Sequence, residues 1–235
     1  MPFLTARLNR LIMLSYEIDP LLLAPYVPPH TELDFHHRRT FVSLVGLYFQ
    51  DPRVYGIPLP FYGHYPQVNL RCYVRRRVAP GNWRHGVVFI KQLIPHRPIA
   101  WMARRLFNEN MTAHRMELIH RSRDRWEEML EYGWYSGSRR YFIRAVYSDR
   151  PAYPEPGSVE EFLLERYRGF SRQQNGTCLE YRFSRPPWKI RRTNSAESGA
   201  GDFYGPPFTG VLRSRPDLSF AAGGSQVTLH RGHPI

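Results

Sequence analysis

Residues 40–50 restrict the possible folds more than any other stretch of the sequence. Alternation puts Phe41, Ser43, Val45, Leu47 and Phe49 on one face and Val42, Leu44, Gly46, Tyr48 and Gln50 on the other. Both faces are mostly apolar, so this strand needs packed material above and below it. It reads as a strand buried on two sides.

The flanking segments add further strands. Residues 10–16 read as a strand, and Asp19-Pro20 offers the N-cap and N1 chemistry of a short helix through Leu23, kept short by Pro25, Pro28 and Pro29. A Pro/Gly/Tyr-rich segment, 51–66, reads as a covering loop. Beyond it Val68, Leu70, Cys72 and Val74 share one face, and Gln67, Asn69, Arg71, Tyr73 and Arg75 the other. Pro80-Gly81-Asn82 predicts a turn into strand 85–93, hence a hairpin.

Pro98 then opens a helix to Phe107, docked by Ile99, Met102, Ala103 and Leu106. Strands are expected at 113–120, 125–134 and 139–147. A capping box from Ser158 to Glu161 starts a helix running to about residue 167. Strands at 177–183 and 188–192, a Gly/Ser-rich loop at 195–201 and a last strand at 226–231 complete the chain. The expected fold is α+β and mostly β. It is one domain over residues 1–235, a curved, mostly antiparallel sheet closed into a barrel around a small cavity, with helix 98–107 as cover.

Composition narrows the function. No run approaches the ~18 apolar residues of a membrane helix, and the apolar stretch Leu11 to Leu14 is soon followed by Glu17 and Asp19. The expectation is therefore a cytoplasmic protein without a secretory leader or a membrane partner. Cys72 and Cys178 are too few for a disulfide framework or a four-thiolate zinc site. The net charge of +13 raises nucleic acid as an alternative partner. However, the arginines are spread from Arg7 to Arg231 with no stripe, and Lys91 and Lys189 are the only lysines. The sequence sets no oligomeric state.

Four groups could carry chemistry. His114, Glu117 and His120 are spaced H-x-x-E-x-x-H, but a strand puts Glu117 opposite the histidines, so no metal is expected. Cys72 lies among apolar strand residues, where a thiol is inert. Lys91 falls on the face of Val87 and Phe89, which would carry its amine toward the core as a Schiff-base candidate; a lysine snorkelling to water is the plainer reading. Asn69, Arg71 and Tyr73 would line a cavity if their face turns inward, with Arg71 as a bidentate fork for a carboxylate. His114 is the expected general acid or base near neutral pH.

Several stretches, in this order and spacing, resemble the uncharacterised YqjF-like family of the acetoacetate-decarboxylase-like superfamily. They are Asn9 and Asp19-Pro20-Leu21-Leu22, residues 65–74, Gly86 to Ile90 with the helix after them, residues 161–167, and Pro216 to Phe220. The resemblance implies a barrel-like enclosure around a small cavity. In the decarboxylases the helix after the hairpin ends in a loop with two adjacent lysines; here Met111 and Thr112 take those positions, and Gln67 that of a cavity glutamate.

Schiff-base decarboxylation by that pair is thus excluded. The expected function is binding of a small organic acid or carbonyl compound by Asn9, Gln67, Asn69, Arg71, Asn110, Met111 and His114, without a cofactor. An enzyme using His114 or Lys91 is the alternative.

Overall fold

The computed structural model describes residues 2–122 and 127–235; Arg125 and Trp126 of the expected strand 125–134, and the side chain of Leu106, lie outside the described residues. The first half contains β1 (Pro2–Glu17), α1 (Pro20–Leu23), β2 (Glu32–Leu33), β3 (Phe41–Val54), β4 (Ile57–Pro58), β5 (His64–Ala79), β6 (Asn82–Ile94), α2 (Arg97–Phe107), β7 (Met111–Ala113) and β8 (Met116–Ser122). The second contains β9 (Glu128–Ser136), β10 (Arg139–Tyr147), α3 (Val159–Leu164), β11 (Arg168–Arg172), β12 (Cys178–Ser184), β13 (Ile190–Ser198), α4 (Gly201–Tyr204), α5 (Phe208–Arg213), β14 (Leu218–His230) and β15 (His233–Pro234).

Pairing runs β12–β11–β6–β5–β3–β1–β14, and Phe183 and Ser184 of β12 pair with Leu229 and Thr228 of β14. That last contact closes the sheet into a barrel. The ring is antiparallel except between β11 and β6. From β14 the pairing continues through β13, β10 and β9 to β8, which form a second layer.

The two apolar faces of β3 now have separate partners. Phe41, Val45 and Leu47 join Leu11, Met13, Tyr73, Val87 and Phe220 inside the barrel. Val42 and Leu44 join Ile12, Leu14, Leu70 and Cys72 outside it, under Tyr132, Trp134 and Ile143 of the second layer. A Cβ on Gly46 would come within 2.3 Å of the Tyr132 ring, so the absent side chain is what lets that ring lie on the barrel. The Tyr132 hydroxyl then donates to the Arg10 carbonyl at 2.6 Å.

Three local expectations change. The covering segment is partly strand, because β3 runs on to Val54 and pairs with β4. The Gly/Ser-rich stretch is the end of β13, held by pairing of β10 with Ser195 to Ser198, and it leads into α4 and α5. In the first place a tight hairpin across Tyr55-Gly56 orders the segment, and in the second a partner strand distant in sequence overrides weak local propensity.

The helix opened by Ser158 stops at Leu164 rather than near residue 167. Its last carbonyls are taken by arginines: Arg166 donates to Phe162 at 2.5 Å, Arg71 to Leu163 at 2.8 Å and Arg185 to Leu164 at 2.7 Å. Cations at a helix C-terminus satisfy orphan carbonyls and complement the helix dipole. Leu163 and Leu164 pack into the barrel interior, so α3 plugs one end. The other end is covered by α2.

Candidate functional site

A cavity of about 240 Å3 lies at the α2 end of the barrel. Phe49, Phe89, Phe107, Phe183, Ile99 and Met102 supply apolar wall, while Gln67, Asn69, Gln92, Glu109 and Tyr181 form a polar floor. The volume is just under the roughly 300–1,000 Å3 usual for ligand pockets, which sets a small molecule as the fitting size. No lysine lines it among the described residues.

The floor is ordered by one chain of hydrogen bonds. Gln67 Nε2 donates to Gln92 Oε1 at 2.9 Å, Gln92 Nε2 donates to Glu109 Oε2 at 2.8 Å, and the Tyr181 hydroxyl donates to Glu109 Oε1 at 3.0 Å. Glu109 reaches the cavity because α2 ends on Asn108 in the left-handed region, φ 50°, which turns the chain inward. Asn110 then anchors the turn by donating to the Ile90 carbonyl at 2.7 Å. Tyr181 can lie across the floor because Gly169 faces it; a Cβ there would meet the phenol ring at 2.2 Å.

Burial pushes the Glu109 carboxyl from 4.5 up to about 7, against hydrogen bonds from Tyr181, Gln92 and Ser171 that favour the ionised form. Burial, with the neighbouring Glu109 charge, keeps the Tyr181 phenol neutral and therefore a donor. One floor atom is left over: Asn69 is only 2% exposed, and its Oδ1 has no hydrogen-bond partner. Buried acceptors without partners are costly. The amide nitrogen of Asn69 makes no hydrogen bond among the described residues either and is not sealed off in the same way, so it is the atom this cavity-lining residue offers to a ligand.

Of the residues expected at the site, Gln67, Asn69 and Met111 line the cavity. The others do not, and the reasons are geometric. Asn9 is outside the lining and donates to Gln50 Oε1 at 2.7 Å. Asn110 spends its amide on the backbone of β6. Arg71 does project into the barrel, but toward the plugged end and the Leu163 carbonyl, so it is not the expected carboxylate fork.

We expect Arg71→Ala to cost about 1.5–3 kcal/mol in denaturant unfolding, the range for a charged hydrogen bond, and to leave cavity ligand affinity unchanged. A parallel loss of affinity would contradict the placement.

Lys91 is turned away by a single irregularity. Between the pairs Arg71–Phe89 and Leu70–Lys91 the β5–β6 register shifts by one residue, so simple alternation fails at Ile90. Gln92, opposite Asn69, takes the inward place that Lys91 would have had. Lys91 points instead into the outer layer, its Nζ 4.5 Å from the Phe203 ring centre, where partial burial lowers its pKa. His114 is there too, 5.3 Å from the same ring, with its nitrogens on the Tyr135 carbonyl and the Thr112 hydroxyl.

Neither residue faces the cavity. The H-x-x-E-x-x-H set does not converge, since Glu117 pairs with Arg140 and His120 with Glu128. Cys72 is buried, its thiol pushed up to about 12.

Barrel, helical cover and cavity together define an acetoacetate-decarboxylase-like fold. The acetoacetate decarboxylase of Legionella pneumophila matches at a TM-score of 0.69 and 16% identity, over 100% of this chain and 87% of that one. The enduracididine biosynthesis enzyme MppR, solved in complex with pyruvate, matches at 0.69 and 12%, over 100% and 91%. An acetoacetate decarboxylase-like enzyme from Sphingomonas wittichii RW1 matches at 0.66 and 10%, over 100% and 94%. By sequence, residues 5–226 match DUF2071, described as an uncharacterized conserved protein, and the chain belongs to that family. No curated protein matches it by sequence.

Glu109, Gln92 and Tyr181 were absent from the expected site. Gln92 was detectable in principle as an amide at the end of an apolar strand run, and Glu109 as an acid beside the helix end. Their convergence depends on the register shift in β6 and on the left-handed cap at Asn108.

Proposed function

We propose that this protein binds a small, predominantly apolar carbonyl compound or carboxylic acid in the barrel cavity, without a Schiff base. The carrying observation is the Glu109 carboxyl, held by Tyr181 and Gln92 at the floor of an otherwise apolar enclosure. When neutral, Glu109 donates a proton to a ligand oxygen; when ionised, it repels a carboxylate. Met111 lines the cavity where the decarboxylase resemblance implies an amine, so the ligand is held by hydrogen bonds and packing.

The test is isothermal titration with short ketones, keto acids and aromatic acids at pH 6 and pH 8.5. Carboxylic acids are expected to bind about tenfold or more tightly at pH 6, and neutral ketones to change little. Tyr181 is the titratable group in contact with Glu109, and it stays neutral throughout. His230 and Arg231 stand at the rim, so Glu109→Gln separates their contribution, and its pH dependence should flatten. Failure of every compound to bind, or carboxylate binding equally tight at both pH values, would overturn the reading.

A second reading, an enzyme, moves from His114 and Lys91 to Glu109, because that residue is the carboxyl enclosed at the cavity floor, whereas His230 stands at the rim.

A further inference from the structure

The floor contains more than binding requires. A ligand of this size could be held by amides alone, yet the cavity also encloses one carboxyl with both oxygens fixed, by Tyr181 at 3.0 Å and Gln92 at 2.8 Å. Next to Gln92 in the hairpin register stands Asn69, which lines the cavity and whose amide nitrogen donates to no group among the described residues. A positioned carboxyl, a neutral phenol on it and an amide beside it are the parts of a proton-transfer site in a water-poor enclosure. A cavity without lysine leaves carbonyl activation to hydrogen bonds rather than to an iminium.

We propose that Glu109 is the catalytic acid–base residue of a proton transfer at the carbon next to a ligand carbonyl, an enolisation. This rests on the binding function proposed above and specifies its substrate class as enolisable carbonyl compounds. The Glu109 carboxylate takes a proton from the α-carbon. The C–H electron pair becomes the C–C π bond, and the carbonyl π pair moves onto oxygen, where the Asn69 amide donates a hydrogen bond. Return of the proton to the same carbon restores the ketone; return to the other allylic end, in an unsaturated substrate, gives its isomer.

No electrons leave the substrate, and no oxidant, reductant or second reactant is needed. Near neutral pH a carboxyl of this acidity is present in both forms, which suits it to give and take one proton in a cycle. Tyr181 is a positioning residue, because its hydroxyl acts through Glu109 and favours the carboxylate form.

The experiment is deuterium exchange followed by proton nuclear magnetic resonance. The protein is incubated in D2O with 2-butanone, cyclohexanone, phenylacetone and phenylpyruvate, and binding of each is measured alongside. For at least one bound ketone, α-proton signals should disappear faster than in buffer. Glu109→Gln should slow that exchange by about a hundredfold or more while affinity changes less than tenfold. Tyr181→Phe should keep exchange but move its pH profile upward, a shift that a merely structural role would not produce.

A ketone that binds yet exchanges no faster than in buffer, or exchange that persists in Glu109→Gln, overturns the inference and leaves the binding function intact. If none of the ketones binds, the inference falls, and the binding function falls with it only if the carboxylic acids of the titration also fail to bind. The fold of each variant is checked by its melting transition, and Glu109→Asp, which keeps a carboxyl, should recover part of the rate.

Discussion

Glu109→Gln should melt above the parent protein at pH 8 and below it at pH 4, with the two stability curves crossing in between. A carboxyl raised from 4.5 to about 7 binds its proton more tightly in the folded state. The folded state therefore loses stability as pH rises through that window, and the loss is complete above pH 7. At about 1.4 kcal/mol per pH unit this is on the order of 3 kcal/mol.

A glutamine at this position has no such term. Its oxygen can still accept from Gln92 Nε2, but its amide nitrogen then faces the Tyr181 hydroxyl, which must accept instead of donate, at about 1 kcal/mol for one disturbed hydrogen bond. The expected result is a variant about 1 kcal/mol less stable at pH 4, nearly equal at pH 5 and about 2 kcal/mol more stable at pH 8, read from denaturant midpoints. Parallel curves across pH 5–8 would mean that the carboxyl is not enclosed as described.

The largest single loss is expected from Asp34→Ala at the plugged end of the barrel. Asp34 and Arg166 form an ion pair at 2.6 Å with side chains 3% and 4% exposed, and His85 Nδ1 stands 2.7 Å from the same carboxylate oxygen. Removing Asp34 strands the Arg166 guanidinium in the interior, against the Phe162 ring at 4.0 Å, with only a backbone carbonyl to bond. Breaking one partner of such a pair costs about 3–5 kcal/mol.

By contrast, the Arg75–Glu32 pair at 2.6 Å is largely open to water, and Glu32→Ala should cost under about 1 kcal/mol. An Asp34→Leu, Arg166→Met double variant should recover much of the loss, because it leaves no uncompensated charge. Burial alone would raise the Asp34 carboxyl, but the His85 hydrogen bond and the Arg166 charge hold it below its usual 3.8. Its contribution is thus present above about pH 4 and is lost as pH falls further. An Asp34→Ala variant within 1 kcal/mol of the parent at pH 7 would refute the assignment.

Much of the fold was legible because it depends on local rules. Two-sided apolar character at 40–50 implied a strand buried on both sides. Asp19-Pro20, Pro80-Gly81-Asn82, Pro98 and Ser158 each marked a boundary through backbone or capping chemistry that acts within a few residues. The site was less legible because it depends on geometry that alternation does not encode. One register shift exchanged Lys91 for Gln92 in the cavity wall, and one left-handed residue turned Glu109 inward.

Arg71 illustrates a further limit, since alternation leaves open both whether its face turns inward and which end of the barrel it serves. That choice is made by the carbonyls of α3, nearly a hundred residues away along the chain. Asn9, Asn110 and His114 sit near the right elements and point to the wrong sides of them.

The plug separates two roles that a barrel of this size often has to combine. Arg71, Arg166, Arg185, Asp34 and the C-terminus of α3 meet at one end, and the cavity lining includes none of them. Substitutions at Leu47, Phe89 or Met102 can therefore reshape the cavity without breaking an ion pair or exposing a helix end. The scaffold is modular along its own axis: one end can drift toward new ligands while the other keeps the chain folded, a favourable starting point for laboratory evolution of the lining.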